Sequence, residues 1–299
     1  MKVSFIGGGV MAEAIIASAI DKLVLQPTEI MVSDPLESRR SHLIGKYSVN
    51  TVSENHKAIE NANLIVLAMK PQDLGAVADS LKSYLQDDQV ILSIAAGVTL
   101  NSLENGLAHN RIVRAMPNTP AQIGAGITVW TTSSNVSKDD MEITQSILSS
   151  IGKEIYVSEE KYLDMATAVS GSGPGYVFLI MEAFIDAGVN LGLSRVIAEE
   201  LVIETFLGSA TLARESDNHL STLRNMVTSP GGTTAEGLMA LEESGLRWAL
   251  ASGVIAAMKN QNHLEARSEC NTCNYIYGAS NLLVCNSYSC YIVVVSNKF

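Results

Sequence analysis

The stretch of this chain with the most chemical promise carries no charge. Thr228-Ser229-Pro230-Gly231-Gly232-Thr233-Thr234 sets hydroxyls and glycines directly ahead of an apolar pattern, Leu238, Met239 and Leu241, that reads as a helix. Backbone N–H groups at a helix start are unpaired and carry the positive end of the helix dipole, so they can receive a carboxylate without a charged side chain. Gly231 and Gly232 let such an anion approach the backbone, while Ser229, Thr233 and Thr234 add hydroxyls. A second glycine cluster, Gly7-Gly8-Gly9-Val10-Met11-Ala12, puts Gly7, Gly9 and Ala12 at the G-x-G-x-x-G/A positions. There the first glycine permits a tight turn and the second lets the backbone approach a pyrophosphate. The small third residue keeps helix close to strand. Together the two clusters point to a dinucleotide and a small anionic substrate.

A proton donor is missing. Dehydrogenases that reduce a carbonyl in a two-domain frame need a Lys or His to manage the proton on oxygen. Between Leu163 and Asn190 there is neither. The histidines, His42, His56, His109, His219 and His263, lie outside glycine-rich turns and strand C-termini, and exposed or helix-capping roles are expected for them. Such an enzyme suits a substrate that arrives already protonated. A cyclic imine is one, because its iminium form is electrophilic before any enzyme group acts.

These residues need a scaffold. Short apolar runs, KVSFIG, EIMVSD, ANLIVLAM, QVILSIAAG, RIVRAM, GITVW and KEIYV, suit strands buried on both faces of a parallel sheet. Between them, stretches such as Met11 to Leu23 and Gln72 to Leu85 carry apolar residues three and four apart, as crossover helices should. An α/β doubly wound dinucleotide-binding domain is expected over residues 1–156, an all-α substrate and association domain over 157–266 and an atypical tail over 267–299. Within the second region, Ser170-Gly171-Ser172-Gly173-Pro174-Gly175 predicts two helices meeting at a bend.

Ligands of open α/β sheets bind outside the carboxyl ends of the strands. The second strand ends in Ser33-Asp34-Pro35, where Asp34 would bind a ribose 2′-hydroxyl and favour NAD, whereas Ser33, Arg39 and Arg40 would receive the 2′-phosphate of NADP. Both cofactors stay open. Further strand ends are Ala68-Met69-Lys70-Pro71, Ala95-Ala96-Gly97 and Met116-Pro117-Asn118-Thr119-Pro120. Lys70, the one cation among these, sits beside cofactor or caps a loop.

A net charge of −11 denies the chain the basic footprint of a nucleic-acid partner. Residue 1 opens directly into a strand-like run, and no run approaches 18 apolar residues, so a cytoplasmic protein without a membrane partner is expected. All four cysteines, Cys270, Cys273, Cys285 and Cys290, fall in the tail, which reads as a poorly ordered, β-prone extension. Cys270-x-x-Cys273 is a weak zinc pattern, because the second pair has four residues between its cysteines, and no metal is expected.

The chain resembles the pyrroline-5-carboxylate reductase family. The matching stretches are FIGGGVMAEAII, LAMKPQ, SIAAG, RAMPNTPAQIGAG, AVSGSGPGYVF, DAGVNLGL and VTSPGGTTAEGLMALEESGLR, in family order across residues 3 to about 250. The resemblance implies reduction of 1-pyrroline-5-carboxylate to L-proline with NADPH or NADH. It also implies a Rossmann domain followed by a helical domain that interleaves with a second subunit, homodimers that build decamers, and an active site at the dimer interface. It places Gly7, Gly9, Val10, Met11, Ser33, Asn55, Ala68, Met69, Lys70 and Ala95 against cofactor. Glu160, Ser229, Thr233 and Thr234 fall against substrate, with the Thr234 hydroxyl bonding the ring nitrogen. Two departures stand out: Gly175, where the family has Ala, and the tail, which replaces a charged helical end.

Two other readings compete. A β-hydroxyacid-type dehydrogenase wants a catalytic Lys on the interdomain helix, which this chain lacks. A cofactor-binding sensor without catalysis would have no use for an intact TSPGGTT.

Overall fold

The computed structural model describes residues 1–269, 282–286 and 289–293, with side chains up to Gln261. Its first half is one eight-stranded sheet. The strands are β1 (Val3–Ile6), β2 (Ile30–Ser33), β3 (Asn50–Val52), β4 (Leu64–Leu67), β5 (Val90–Ser93), β6 (Ile112–Met116), β7 (Gly126–Thr132) and β8 (Gly152–Tyr156). They lie in the order β3-β2-β1-β4-β5-β6-β7-β8. From β3 to β6 all neighbours are parallel, with Val3 in register with both Ile30 and Leu64. The strand order reverses between β1 and β4, which opens a crevice at the carboxyl ends. β7 departs from the all-parallel expectation and runs antiparallel to β6. Its connection is the short 3-10 turn Thr119–Ile123, with no crossover helix to bring the chain back to the starting edge.

Successive strand residues point to opposite faces, so the unbroken apolar runs feed two cores. One gathers Val3, Phe5, Leu64, Val66 and Leu92 with Ile15 and Ile16 of α1 (Val10–Asp21), Leu43 of α2 (Glu37–Tyr47) and, beyond α3 (Asn55–Ala58), α4 (Leu74–Leu81) and α5 (Leu100–Leu107), Ile147 and Leu148 of α6 (Lys138–Ser150). The other gathers Ile6, Ile65, Leu67 and Ile91 with Ala58, Leu81, Leu103 and Leu107.

Helices make up the second half: α7 (Lys161–Ala166), α8 (Gly173–Asn190), α9 (Arg195–Glu215), α10 (Leu220–Met226), α11 (Thr233–Glu243) and α12 (Leu246–Glu269). At the expected bend, α7 passes into a π turn, Thr167–Gly171, and α8 starts with Pro174 in its first turn. The chain divides into two compact units, Met1–Gly171 with the chain from Ala257 onwards, and Ser172–Ala256. Thus α7 and the π turn go with the sheet, beyond the boundary at residue 156 that composition suggests, because side chains from β6 and its loop hold them there.

The second unit has almost no interior. α8 and α9 pair closely where Gly188 meets Ala198, and Phe184 lies edge-on to Phe206 at 5.7 Å between ring centroids. Ala198 is its one buried residue among those described. By length and composition Lys161–Asn190 is long and apolar enough to cross a membrane, although little of it is buried. No single run in the sequence showed this, because the stretch becomes continuous only through the π turn.

In the tail, β9 (Leu282–Asn286) and β10 (Ser289–Val293) form an antiparallel pair with Cys285 opposite Cys290, where a poorly ordered extension was expected. Cys270 and Cys273 lie outside the described residues. Among the described residues no cluster of three or more His, Cys, Asp or Glu could hold a metal.

Candidate active site

The first glycine turn is built as the fingerprint requires. Gly7 has φ +94°, which favours glycine, and a Cβ there would lie 3.1 Å from the Ala68 carbonyl carbon and the Met69 nitrogen. Two expected cofactor residues therefore pack directly on the turn. Gly9 is the N-cap of α1 with no side-chain cap, and a Cβ on it would meet nothing within 4 Å. This open backbone leads to the first-turn residues Val10, Met11 and Ala12 of an uncapped helix. The site fits a pyrophosphate.

Gly8, missed in the sequence, is the pivot. Its N–H donates to Asp34 Oδ2 at 2.9 Å, and a Cβ on it would come 2.9 Å from Leu43 Cδ1. The other Asp34 oxygen, Oδ1, accepts the Leu36 N–H at 2.9 Å, and the residue is 8% exposed. Asp34 thus braces the glycine turn against the start of α2, at the strand end where a ribose acceptor is expected. Three consecutive glycines were the available signal for Gly8.

Ser33 and Asn55, both expected against cofactor, bond each other. Ser33 Oγ donates to Asn55 Oδ1 at 2.7 Å, and Asn55 Nδ2 donates to Ser80 Oγ at 3.0 Å. Arg39 donates to the Gly8 carbonyl and pairs with Glu13; Arg40 donates to the carbonyls of Asp34 and Pro35 at 2.7 and 3.0 Å. Both guanidiniums therefore brace the β1–α1 and β2–α2 turns. Glu13 also accepts from His42, Lys46 and Tyr47. Burial opposes its charge, but the hydrogen bonds from His42, Arg39, Lys46 and Tyr47 hold its carboxyl far below the ordinary range.

At the next strand ends, Lys70 is exposed and takes the N-cap position of the 3-10 turn Pro71–Asp73 without a side-chain cap bond. Ala95 follows β5, buried, its N–H on Ser93 Oγ at 3.3 Å. Asn118 is committed at both ends of its amide: Oδ1 accepts the Ile127 N–H at 2.9 Å and Nδ2 donates to the Ser170 carbonyl at 3.2 Å. An expected cofactor contact thus staples β7 and the π turn. Glu160 Oε1 accepts from Arg114 Nη1 and from the Leu100 N–H, both at 2.7 Å. The histidines behave mostly as expected: His219 caps α10, while His42 and His56 bond or stack locally. His109 differs, being buried with Nε2 at 2.8 Å from the Gln89 carbonyl oxygen.

In the second unit, Gly231 has φ +66° and Gly232 closes a turn through its N–H on the Ser229 carbonyl at 3.0 Å. Gly232 is the N-cap of α11, again without a side-chain cap. Among the described residues the hydroxyls of Ser229, Thr233 and Thr234 have no hydrogen-bond partner. This helix start offers amides and hydroxyls in an open turn, with Glu236 the one acid in its first turn.

A family model described as pyrroline-5-carboxylate reductase dimerisation matches residues 160–264, and one described as NADP oxidoreductase, coenzyme F420-dependent, matches residues 2–97. The pyrroline-5-carboxylate reductase of Synechocystis sp. is 40% identical over 88% of this chain and 98% of its own. That of Arabidopsis thaliana is 36% identical over 88% and 95%. Among solved structures, the Coxiella burnetii enzyme superposes with a TM-score of 0.82 at 37% identity, covering 88% of this chain and 98% of its own. The Plasmodium falciparum enzyme with NADP bound superposes with a TM-score of 0.81 at 32% identity, covering 89% and 98%.

Proposed function

The chain belongs to the pyrroline-5-carboxylate reductase family, and on that premise we propose how its two glycine turns divide the work. The reaction is reduction of 1-pyrroline-5-carboxylate to L-proline by hydride from NAD(P)H, the last step of proline biosynthesis. The expected cofactor domain, 1–156, carries α7 and the π turn on its sheet, and the expected helical domain, 157–266, supplies α8 to α12. The uncapped start of α1, reached across Gly9, takes the pyrophosphate, while Ser33, Asn55, Ala68, Met69, Lys70, Pro71 and Ala95 line the rest of the cofactor path. Bound NAD(P)H supplies the hydride.

The uncapped start of α11, with its turn at Gly231 and Gly232, carries the substrate reading. Its amides receive the carboxylate, Ser229 and Thr233 add hydroxyl donors, and Thr234 orients the ring nitrogen so that the neighbouring carbon faces the hydride. Glu160 is the substrate contact expected outside that turn. The lack of Lys and His between Leu163 and Asn190 is consistent with a substrate that brings its own proton. Rate enhancement then comes mainly from positioning, worth roughly 7 to 11 kcal/mol. The bare apolar faces of α8 and α9 support a homodimer, with dimers building a decamer in the cytoplasm.

The test is kinetic. Wild type should oxidise NAD(P)H only when pyrroline-5-carboxylate is present, and Thr234→Ala should lower kcat about tenfold or more with cofactor affinity unchanged. Wild-type rates in Thr234→Ala would overturn the role of Thr234.

A further inference from the structure

Arg114 sits in the middle of β6, 3% exposed, in an otherwise apolar run. A guanidinium in such a place persists only with partners. Nη1 donates to Glu160 Oε1 at 2.7 Å and Nη2 to Asp164 Oδ1 at 2.9 Å. Glu160 is the N-cap position of α7 and Asp164 lies four residues on, so both carboxylates face one strand. The same Glu160 oxygen accepts the N–H of Leu100, the first residue of α5, at 2.7 Å. Thr99 Oγ1 accepts the Ser102 N–H at 3.1 Å, so α5 is capped both by its own N-cap and by an acid sixty residues later.

The consequence falls on the loop from Ile94 to Thr99, between the carboxyl end of β5 and α5. One end is fixed in the sheet and the other by Glu160, itself oriented by Arg114. Asn118, on the loop after β6, holds Ser170 and so the far end of the α7–π turn segment. In a doubly wound sheet of two mononucleotide halves, the half built on β4 to β6 faces the nicotinamide end. We infer that Arg114 is a positioning residue for hydride transfer: through Glu160 it fixes the β5–α5 loop, and with it the seat of the nicotinamide. The inference rests on the cofactor reading above. A displacement of about 1 Å at such a seat can lower the rate about a hundredfold.

Three variants of the full-length protein test it: Arg114→Lys, Glu160→Gln and the double. Each single should lower kcat about tenfold, with NADPH affinity by fluorescence titration near wild type in protein that remains folded at the assay temperature. The deuterium isotope effect on kcat, read with NADPH labelled at the transferred position, should rise as transfer becomes limiting. A lysine cannot serve two carboxylates in the planar geometry of a guanidinium. The double should be no worse than the weaker single, because both changes break one linkage. Wild-type kcat in either folded single, or losses that multiply in the double, would overturn the inference. If Arg114→Lys does not fold, Glu160→Gln is read beside Asp164→Asn, which frees the same guanidinium at a residue without a substrate role: reduced kcat and a raised isotope effect in both folded proteins support the inference, and wild-type values in Asp164→Asn overturn it. A wild type that neither binds NADPH nor turns over overturns the cofactor reading itself, and the inference with it.

Discussion

The amide of Gly8 and the carboxylate of Asp34 meet at 2.9 Å, tying the glycine turn after β1 to the end of β2. Asp34 stands where an acid would select NAD by its ribose hydroxyl, yet both its oxygens accept backbone amides. Asp34→Ala should therefore loosen the turn that both cofactors share. NADH and NADPH should each bind about tenfold more weakly, equivalent to about 1.4 kcal/mol, with their ratio unchanged in parallel fluorescence titrations. A loss confined to NADH would assign Asp34 the ribose role instead.

Gly175 and Gly231 both have open space, since a Cβ on either meets nothing within 4 Å. They differ in backbone. Gly231 has φ +66°, and Gly231→Ala should cost about 1–2 kcal/mol and raise KM for pyrroline-5-carboxylate by displacing the start of α11. Gly175 lies in α8 without a positive φ, and Gly175→Ala should gain about 0.4–1 kcal/mol with activity retained. Denaturant midpoints of the two variants should move in opposite directions.

Glu13 predicts an acid-sensitive contribution. Its folded carboxyl is held far below the ordinary 4.5, so the folded form keeps the charge when the unfolded chain takes a proton. The stabilisation is fully present well above pH 4.5 and is lost as pH falls from there toward the depressed folded value. Urea midpoints of wild type and Glu13→Gln should differ most at neutral pH and converge below pH 4.5.

Leu207 and Trp248 are 59% and 74% exposed on a unit with a single buried residue among those described. A helical unit of this kind owes its stability to a covering surface, here a second copy. Leu207→Glu should shift the protein toward monomer in sedimentation velocity and lower its thermal midpoint, while wild type sediments as a dimer or larger.

What the sequence determined alone was local in origin. Unbroken apolar runs announced buried strands, three glycines announced the turn after β1, and Ser229 to Thr234 announced an uncharged helix start. Each follows from residues a few positions apart, through periodicity, φ preference or capping chemistry. Only the tertiary structure decided what the polar residues do with one another. Asp34 braces Gly8 across 26 residues, Asn118 reaches Ser170 across 52, and Arg114 reaches Glu160 and Asp164 across 46 and 50. An arginine inside IVRAM gives no local sign of its partners, because a buried charge is satisfied by whatever the fold brings beside it. The direction of β7 and the missing interior of the helical unit were hidden for the same reason. Strand pairing and burial are relations between distant segments, and they exist only once the chain has closed on itself.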